Sequence, residues 1–144
     1  MLTCTFFGHR NTPDSIKTNL KNIINELITK QNVTLFYIGN QGNFDYITYI
    51  TLKKLKKIYP HIKYYVVLAY LPTNKTDYFY YDFSDTIFPD CLTNVPPKFA
   101  IYKRNEFMLE KSDFVITYIT NNFGGASQFA EKAKRKNKKV INLA

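Results

Sequence analysis

The sequence predicts an α/β fold, a Rossmann-like three-layer sandwich with a mostly parallel sheet of about five strands. Three observations carry this expectation. Short hydrophobic runs alternate with segments of helical periodicity along the 144-residue chain. All five glycines (Gly8, Gly39, Gly42, Gly124, Gly125) fall after such a run and before such a segment. None of them is spent in a hairpin.

The elements follow in order. Leu2–Phe7 reads as a short buried strand. Thr12-Pro13 is a helix start, with Thr at the N-cap and Pro at the first helical position. Behind it Ile16, Leu20, Ile23 and Leu27 make one apolar face. Val33–Ile38 is the second strand, and a helix runs from about Asn43 to Ile58, ended by Tyr59-Pro60. Tyr64–Leu71 is the third strand, rich in β-branched and aromatic residues. From Pro72 to Pro97 no period is sustained. This stretch holds Asp77, Asp82, Asp85, Asp90 and the aromatic run Tyr78-Phe79-Tyr80-Tyr81. A connection that long reads as a functional loop, expected to fold beside the ligand site and lend it an aromatic side chain. A helix from about Lys98 to Lys111, a strand at Asp113–Ile119, a helix from Gly125 to Arg135 and a strand at Lys139–Leu143 complete the chain. No linker or repeat interrupts it, so residues 1–144 read as a single domain.

Composition closes off several classes. The chain is 45% hydrophobic and 22% charged, with five glycines and six prolines, which excludes collagen, low-complexity disorder and a disulfide scaffold. No apolar run approaches the roughly 20 residues that span a bilayer, and no signal peptide is visible. Cys4 and Cys91 match no metal or redox spacing. Reduced thiols in a cytoplasmic protein are expected, with no metal and no cofactor. The formal charge is +9, from 20 Lys and Arg against 11 Asp and Glu. Six of those cations lie within Lys132–Lys139, and without them the balance is 14 against 11. Such a run suits a polyanion or, equally, the carboxyl end of a helix.

In an open α/β sheet the ligand cleft lies at the carboxyl ends of the strands. Glycines there let backbone N–H groups approach an anion, and the helix that follows adds its dipole. Three such turns argue for a phosphate-bearing or otherwise anionic ligand. No Walker motif and no G-x-G-x-x-G is present, which disfavours a P-loop NTPase or a standard dinucleotide site. In the first turn, Gly8-His9-Arg10, the Arg10 guanidinium is a forked donor for phosphate, and His9 either serves acid–base chemistry or bonds its own turn. The second turn, Gly39-Asn40-Gln41-Gly42-Asn43, leads to Asp45, which either holds a ribose hydroxyl or complements the helix dipole. In the helix after the long loop, Ile101, Arg104, Asn105 and Met108 share one face. Core packing does not explain the Arg and Asn on it, so they should point at the cleft or at a partner. Gly124-Gly125-Ala126 opens the last helix, where Glu131 is either catalytic or an i, i+4 partner of Arg135, and spacing favours the pair.

The segments CTFFGHR, FYIGNQGNFD, VVLAYLP, DTIFP, KFAIYKRNEFMLEKSD and FGGASQFAEKA together resemble the SLOG superfamily, and within it the small bacterial proteins of the YpsA-like type, over nearly all of Thr3–Leu143. The resemblance implies a Rossmann-like domain. The superfamily includes the LOG phosphoribohydrolases, the DNA-processing protein DprA and ligand-sensing domains of bacterial conflict systems. The LOG pattern of an Arg-Lys pair followed by Met is matched by Arg104, Asn105 and Met108, with Asn in place of Lys. Their P-G-G-x-G-T-x-x-E loop is matched by Gly124, Gly125 and Glu131, with Phe123, Ser127 and Gln128 in place of Pro, Gly and Thr. Arg104 and Glu131 would then hold the catalytic positions, but the replaced Gly and Thr contact phosphate in those enzymes.

The leading expectation is therefore a binder of a small nucleotide-derived ligand, of the ADP-ribose or cyclic-nucleotide type. Arg10, the backbone of Gly39–Asn43 and Gly124–Ala126 would cradle phosphate, Asp45 would take ribose and Arg104 a second anionic group, with His9, Asn105, Ser127 and Gln128 among the ligand-binding residues. An N-glycosidic hydrolase using Glu131 and Arg104 is the alternative. Nucleic-acid binding through Lys132–Lys139 is disfavoured, because the aromatics do not interleave with that run. A homodimer is the expected assembly.

Overall fold

Alternating side chains on the first strand already divide the molecule into layers. In a computed structural model, which describes residues 2–71 and 80–144, β1 (Leu2–Gly8) buries Cys4 and Phe6 on one face and Phe7 on the other. The first face is covered by α1 (Lys17–Lys30) and α2 (Gly42–Ile58), through Ile24, Leu27, Phe44 and Leu52. The second is covered by α3 (Pro97–Lys111) and α4 (Gly124–Arg135), through Met108, Leu109, Phe129 and Ala133. Between them lie β2 (Val33–Ile38), β3 (Lys63–Val67), β4 (Thr86–Ile87), β5 (Phe114–Tyr118) and β6 (Lys139–Asn142).

The sheet order is β4-β3-β2-β1-β5-β6, and every pairing is parallel. The expected fold class holds, with six strands instead of about five. The additional strand is β4, two residues inside the segment expected to be without regular structure. Two residues have no periodicity of their own. Pairing of Val66 and Val67 with Thr86 and Ile87 creates the strand. The aromatic pair Tyr78-Phe79 lies outside the described residues.

Two local expectations need correction. The third strand ends at Val67 and not at Leu71, although Leu68 and Ala69 stay buried and the Leu68 amide still donates to the Ile87 carbonyl (2.9 Å). Thr12 caps no helix. Its hydroxyl and amide both bond the His9 carbonyl (2.6 and 3.2 Å), closing the turn after β1. A 3₁₀ turn at Asp14–Ile16 then precedes α1.

The chain winds outward from β1 to β4 on one side and returns through α3 to β5 and β6 on the other. Connections therefore diverge between β1 and β5. A crevice opens at the carboxyl ends there, where open α/β sheets place their ligands.

Candidate functional site

A cleft of about 360 Å³ occupies that crevice. Gly8, His9 and Arg10 line it from the end of β1, Gly39, Gln41 and Asp45 from the turn after β2, and Gly124, Gly125 and Ala126 from the start of α4. Ile101, Arg104, Asn105 and Met108 contribute one face of α3, as their spacing implied, and Phe6 and Phe7 add apolar floor that the sequence reading did not include. Their position just before Gly8 was the signal available.

The remaining candidates stand around this cleft. Asn40 and Asn43 hold it together from behind. Asn43 Nδ2 donates to the Thr12 carbonyl (2.6 Å) and to Asp14 Oδ1 (2.9 Å), tying the second turn to the first. Gly42 packs on Arg10, Gln128 is exposed on α4, and Ser127 and Glu131 line a separate groove on the other side of the last turn. Glu131 is largely exposed and pairs with Lys134 (3.4 Å), three residues on, where spacing had suggested Arg135.

The glycines divide into two kinds. A Cβ on Gly8 would lie 2.3 Å from the Phe44 ring, and one on Gly39 would lie 2.8 Å from Asp45 Oδ2. Gly42 has φ +87°, and a Cβ there would meet Arg10 Cα at 2.5 Å. These three are glycine because the protein packs against them. Gly124 and Gly125 are different, since added Cβ atoms there would meet nothing within 4 Å; Gly124 is glycine for its backbone alone, at φ +87°. Replacing Gly42 with alanine combines left-handed backbone strain with a backbone overlap, and is expected to cost about 3 kcal/mol in denaturant unfolding. A loss below about 1 kcal/mol would contradict the close approach.

The two helix starts that face the cleft differ in the same way. At α2, the Gln41 amide donates to Asp45 Oδ2 (2.9 Å) and the Asn43 amide to the Arg10 carbonyl (2.8 Å). The protein itself supplies acceptors there. At α4, the N-cap is Phe123, whose side chain caps nothing and is 79% exposed. Orphan amides at a helix start need an acceptor from water or ligand. The open end is α4.

Arg104 is 3% exposed. Its Nε donates to Asn105 Oδ1 (2.8 Å), Nη1 to Asn40 Oδ1 (3.1 Å) and the Val67 carbonyl (3.0 Å), and Nη2 to Gln41 Oε1. Four of five guanidinium N–H groups are thus committed within the protein. Asn40 in turn donates to the Tyr81 hydroxyl (3.3 Å), the described contribution of the long connection. His9 Nε2 accepts from the Thr120 amide (3.0 Å), so the neutral ring carries its proton on Nδ1 and the first turn is joined to the β5–α4 loop.

Burial pushes the Asp45 carboxyl up to about 6, against the opposing pull of Arg104, the Gln41 amide and Arg10. Because this lies above the ordinary value of 3.8, the folded protein holds that proton more tightly than the unfolded chain. Stability contributed by the site falls as pH rises from about 4 to about 6 and levels off above. Asp45→Asn should remove this dependence. Between pH 4 and pH 8 the stability of the variant relative to wild type should rise by about 2 kcal/mol in denaturant titrations. Parallel profiles would contradict the burial argument.

Among the described residues no helix is long and apolar enough to cross a membrane, and no His, Cys, Asp and Glu cluster could hold a metal. Comparison with known proteins places the chain among relatives. A family model described as the YspA SLOG family matches residues 3–143. DNA processing protein A (DprA) from Streptococcus pneumoniae superposes with a TM-score of 0.72 at 15% identity, over 99% of this chain and 50% of that one. DNA processing protein A from Helicobacter pylori, described for its unique single-stranded DNA binding mode, superposes with a TM-score of 0.63 at 17% identity, over 98% of this chain and 64% of that one. The chain thus spans about half to two-thirds of these structures. No curated protein sequence matches.

Proposed function

Because the chain belongs to the YspA SLOG family, we propose that it binds a nucleotide-derived ligand in the cleft between β1 and β5, with phosphate over the amino end of α4. The observation that carries this reading is the uncapped start of α4 at Gly124-Gly125, open to the cleft that Arg10 also lines. Helix amides and a forked cation suit a phosphate by geometry and by charge. Asp45 suits a ribose hydroxyl, because its carboxylate is the acid lining the cleft among the described residues. Ile101, half-buried on the α3 face of the cleft, offers an apolar contact for a base. Arg104 acts as a positioning residue, holding Asn40, Gln41 and Asn105 in place, with one N–H left over.

The hydrolase alternative loses support from the position of Glu131, on a separate groove and paired with Lys134. Incubation with AMP should release no free adenine. Release at enzymatic rates would favour hydrolysis over binding alone.

One observation favours a second reading. The Helicobacter pylori neighbour is described for binding single-stranded DNA, so the expectation against nucleic acid weakens. The basic run, however, begins in the last turn of α4. Lys132 stands eight residues beyond Gly124, about 12 Å along the helix, so the run lies toward the amino ends of the strands, away from the cleft. Lys132 is also engaged by Tyr102 and Glu106. Calorimetric titration with AMP and anisotropy with a labelled oligothymidylate separate the readings. Micromolar AMP binding with weak, salt-sensitive oligonucleotide binding is expected. Tight oligonucleotide binding that AMP does not displace would contradict the nucleotide reading.

A further inference from the structure

The six cations of residues 132–139 take no part in the cleft, and they run directly into β6. Lys132 is held by Tyr102 and Glu106, and Lys134 by Glu131. Arg135, Lys136, Lys138 and Lys139 form no ion pair among the described residues. β6 is also an edge of the sheet, with β5 as its neighbour and no strand on its other side among the described residues. The Lys139 and Leu143 amides point toward β5 and donate to the Asp113 and Thr117 carbonyls (3.1 and 2.8 Å). Backbone direction alternates along a strand, so the amides and carbonyls of Val140 and Asn142 face outward. Next to this edge, on the sheet face that α1 covers, lies a groove of about 180 Å³. Ile23 and Ile141 are half-buried on its lining, with Leu27 and Phe114 buried beside them. Lys30 and Lys139 line it as well, against one carboxylate, Glu26.

We infer that β6 is a docking edge for an extended acidic segment of a partner protein. The segment adds a seventh strand to the six of the sheet, bonding the outward backbone groups of Val140 and Asn142. One aliphatic side chain enters the groove against Ile23 and Ile141 and fixes the register. Its carboxylates meet Lys30, Lys139 and the unpaired cations just before the strand. Charge selects this occupant over two others. A second copy of the chain would bring the same basic run to the same edge, and like charges there keep strands apart. A nucleic acid matches the cations but offers no ladder of amides and carbonyls to the open edge. The inference is independent of which ligand the cleft holds.

The test is fluorescence anisotropy of a labelled peptide, one leucine among glutamates, titrated with the full chain. The peptide should bind. Methylating one alternate set of its backbone amides should weaken binding about tenfold, while methylating the other set is tolerated, because only one set faces the edge. Val140→Pro removes an outward amide and no bond to β5, and should also cost about tenfold. Should the proline disturb the strand, Arg135→Glu combined with Lys136→Glu reverses two exposed charges instead, with a similar loss expected. No binding, equal affinity for all three peptides, or unchanged affinity in the charge-reversed variant would overturn the docking edge. Displacement of the peptide by an equal concentration of oligothymidylate would overturn it too, and would assign the basic run to nucleic acid.

Discussion

Replacing Arg104 with leucine should destabilise the fold by about 3–5 kcal/mol, the largest effect expected of any single change at the site. The loss has two sources. The Val67 carbonyl and the side-chain oxygens of Asn40, Gln41 and Asn105 lose their donor together, and the buried Val67 carbonyl left unpaired costs about 1–3 kcal/mol by itself. Asp45 also loses the cation that offsets its burial, so its carboxyl should take up a proton at still higher pH. Lysine keeps the charge but not the planar fork, and a single ammonium cannot replace donors aimed at four acceptors. Arg104→Lys should therefore recover only part of the loss. Guanidinium chloride unfolding at pH 7 measures both. A loss below about 1 kcal/mol for Arg104→Leu would show that the network contributes little.

The second large effect concerns binding without folding. Gly125→Asp should lower AMP affinity at least 100-fold, about 2.7 kcal/mol, while leaving stability unchanged or raised by a few tenths. Space is available, since a Cβ at Gly125 meets nothing within 4 Å and no positive φ is recorded for it. An aspartate in the first turn supplies the acceptor that the uncapped helix lacks, and it repels a phosphate arriving at the same place. Circular dichroism melting beside calorimetry separates the two readouts. Unchanged AMP affinity would place the phosphate elsewhere.

Much of the layered fold is legible in the sequence, because apolar residues recur at helical spacing in α1 while β1 is an unbroken buried run. The two-residue β4 is not legible, as tertiary pairing alone makes it a strand. The place of the site is legible as well, through five glycines at strand-to-helix turns. Their reasons are not. Gly8, Gly39 and Gly42 accommodate Phe44, Asp45 and Arg10, which are distant in sequence or known only from packing. Only Gly124 and Gly125 stand open. Likewise the helical spacing of Ile101, Arg104, Asn105 and Met108 marks the face that reaches the cleft, while the committed donors of Arg104 depend on partners up to 64 residues away. Sequence places Glu131 near Gly125, yet the helix turns it onto the far side of the loop.

The central claim is that phosphate rests on the open start of α4. Its most direct test is a titration of ¹⁵N-labelled protein with AMP, followed by amide chemical shifts. The account expects the largest shifts at Gly124, Gly125 and Ala126, with smaller ones at Arg10 and little change at Asn43, whose amide already bonds the Arg10 carbonyl. Largest shifts within residues 132–139, with Gly124 and Gly125 unmoved, would contradict it.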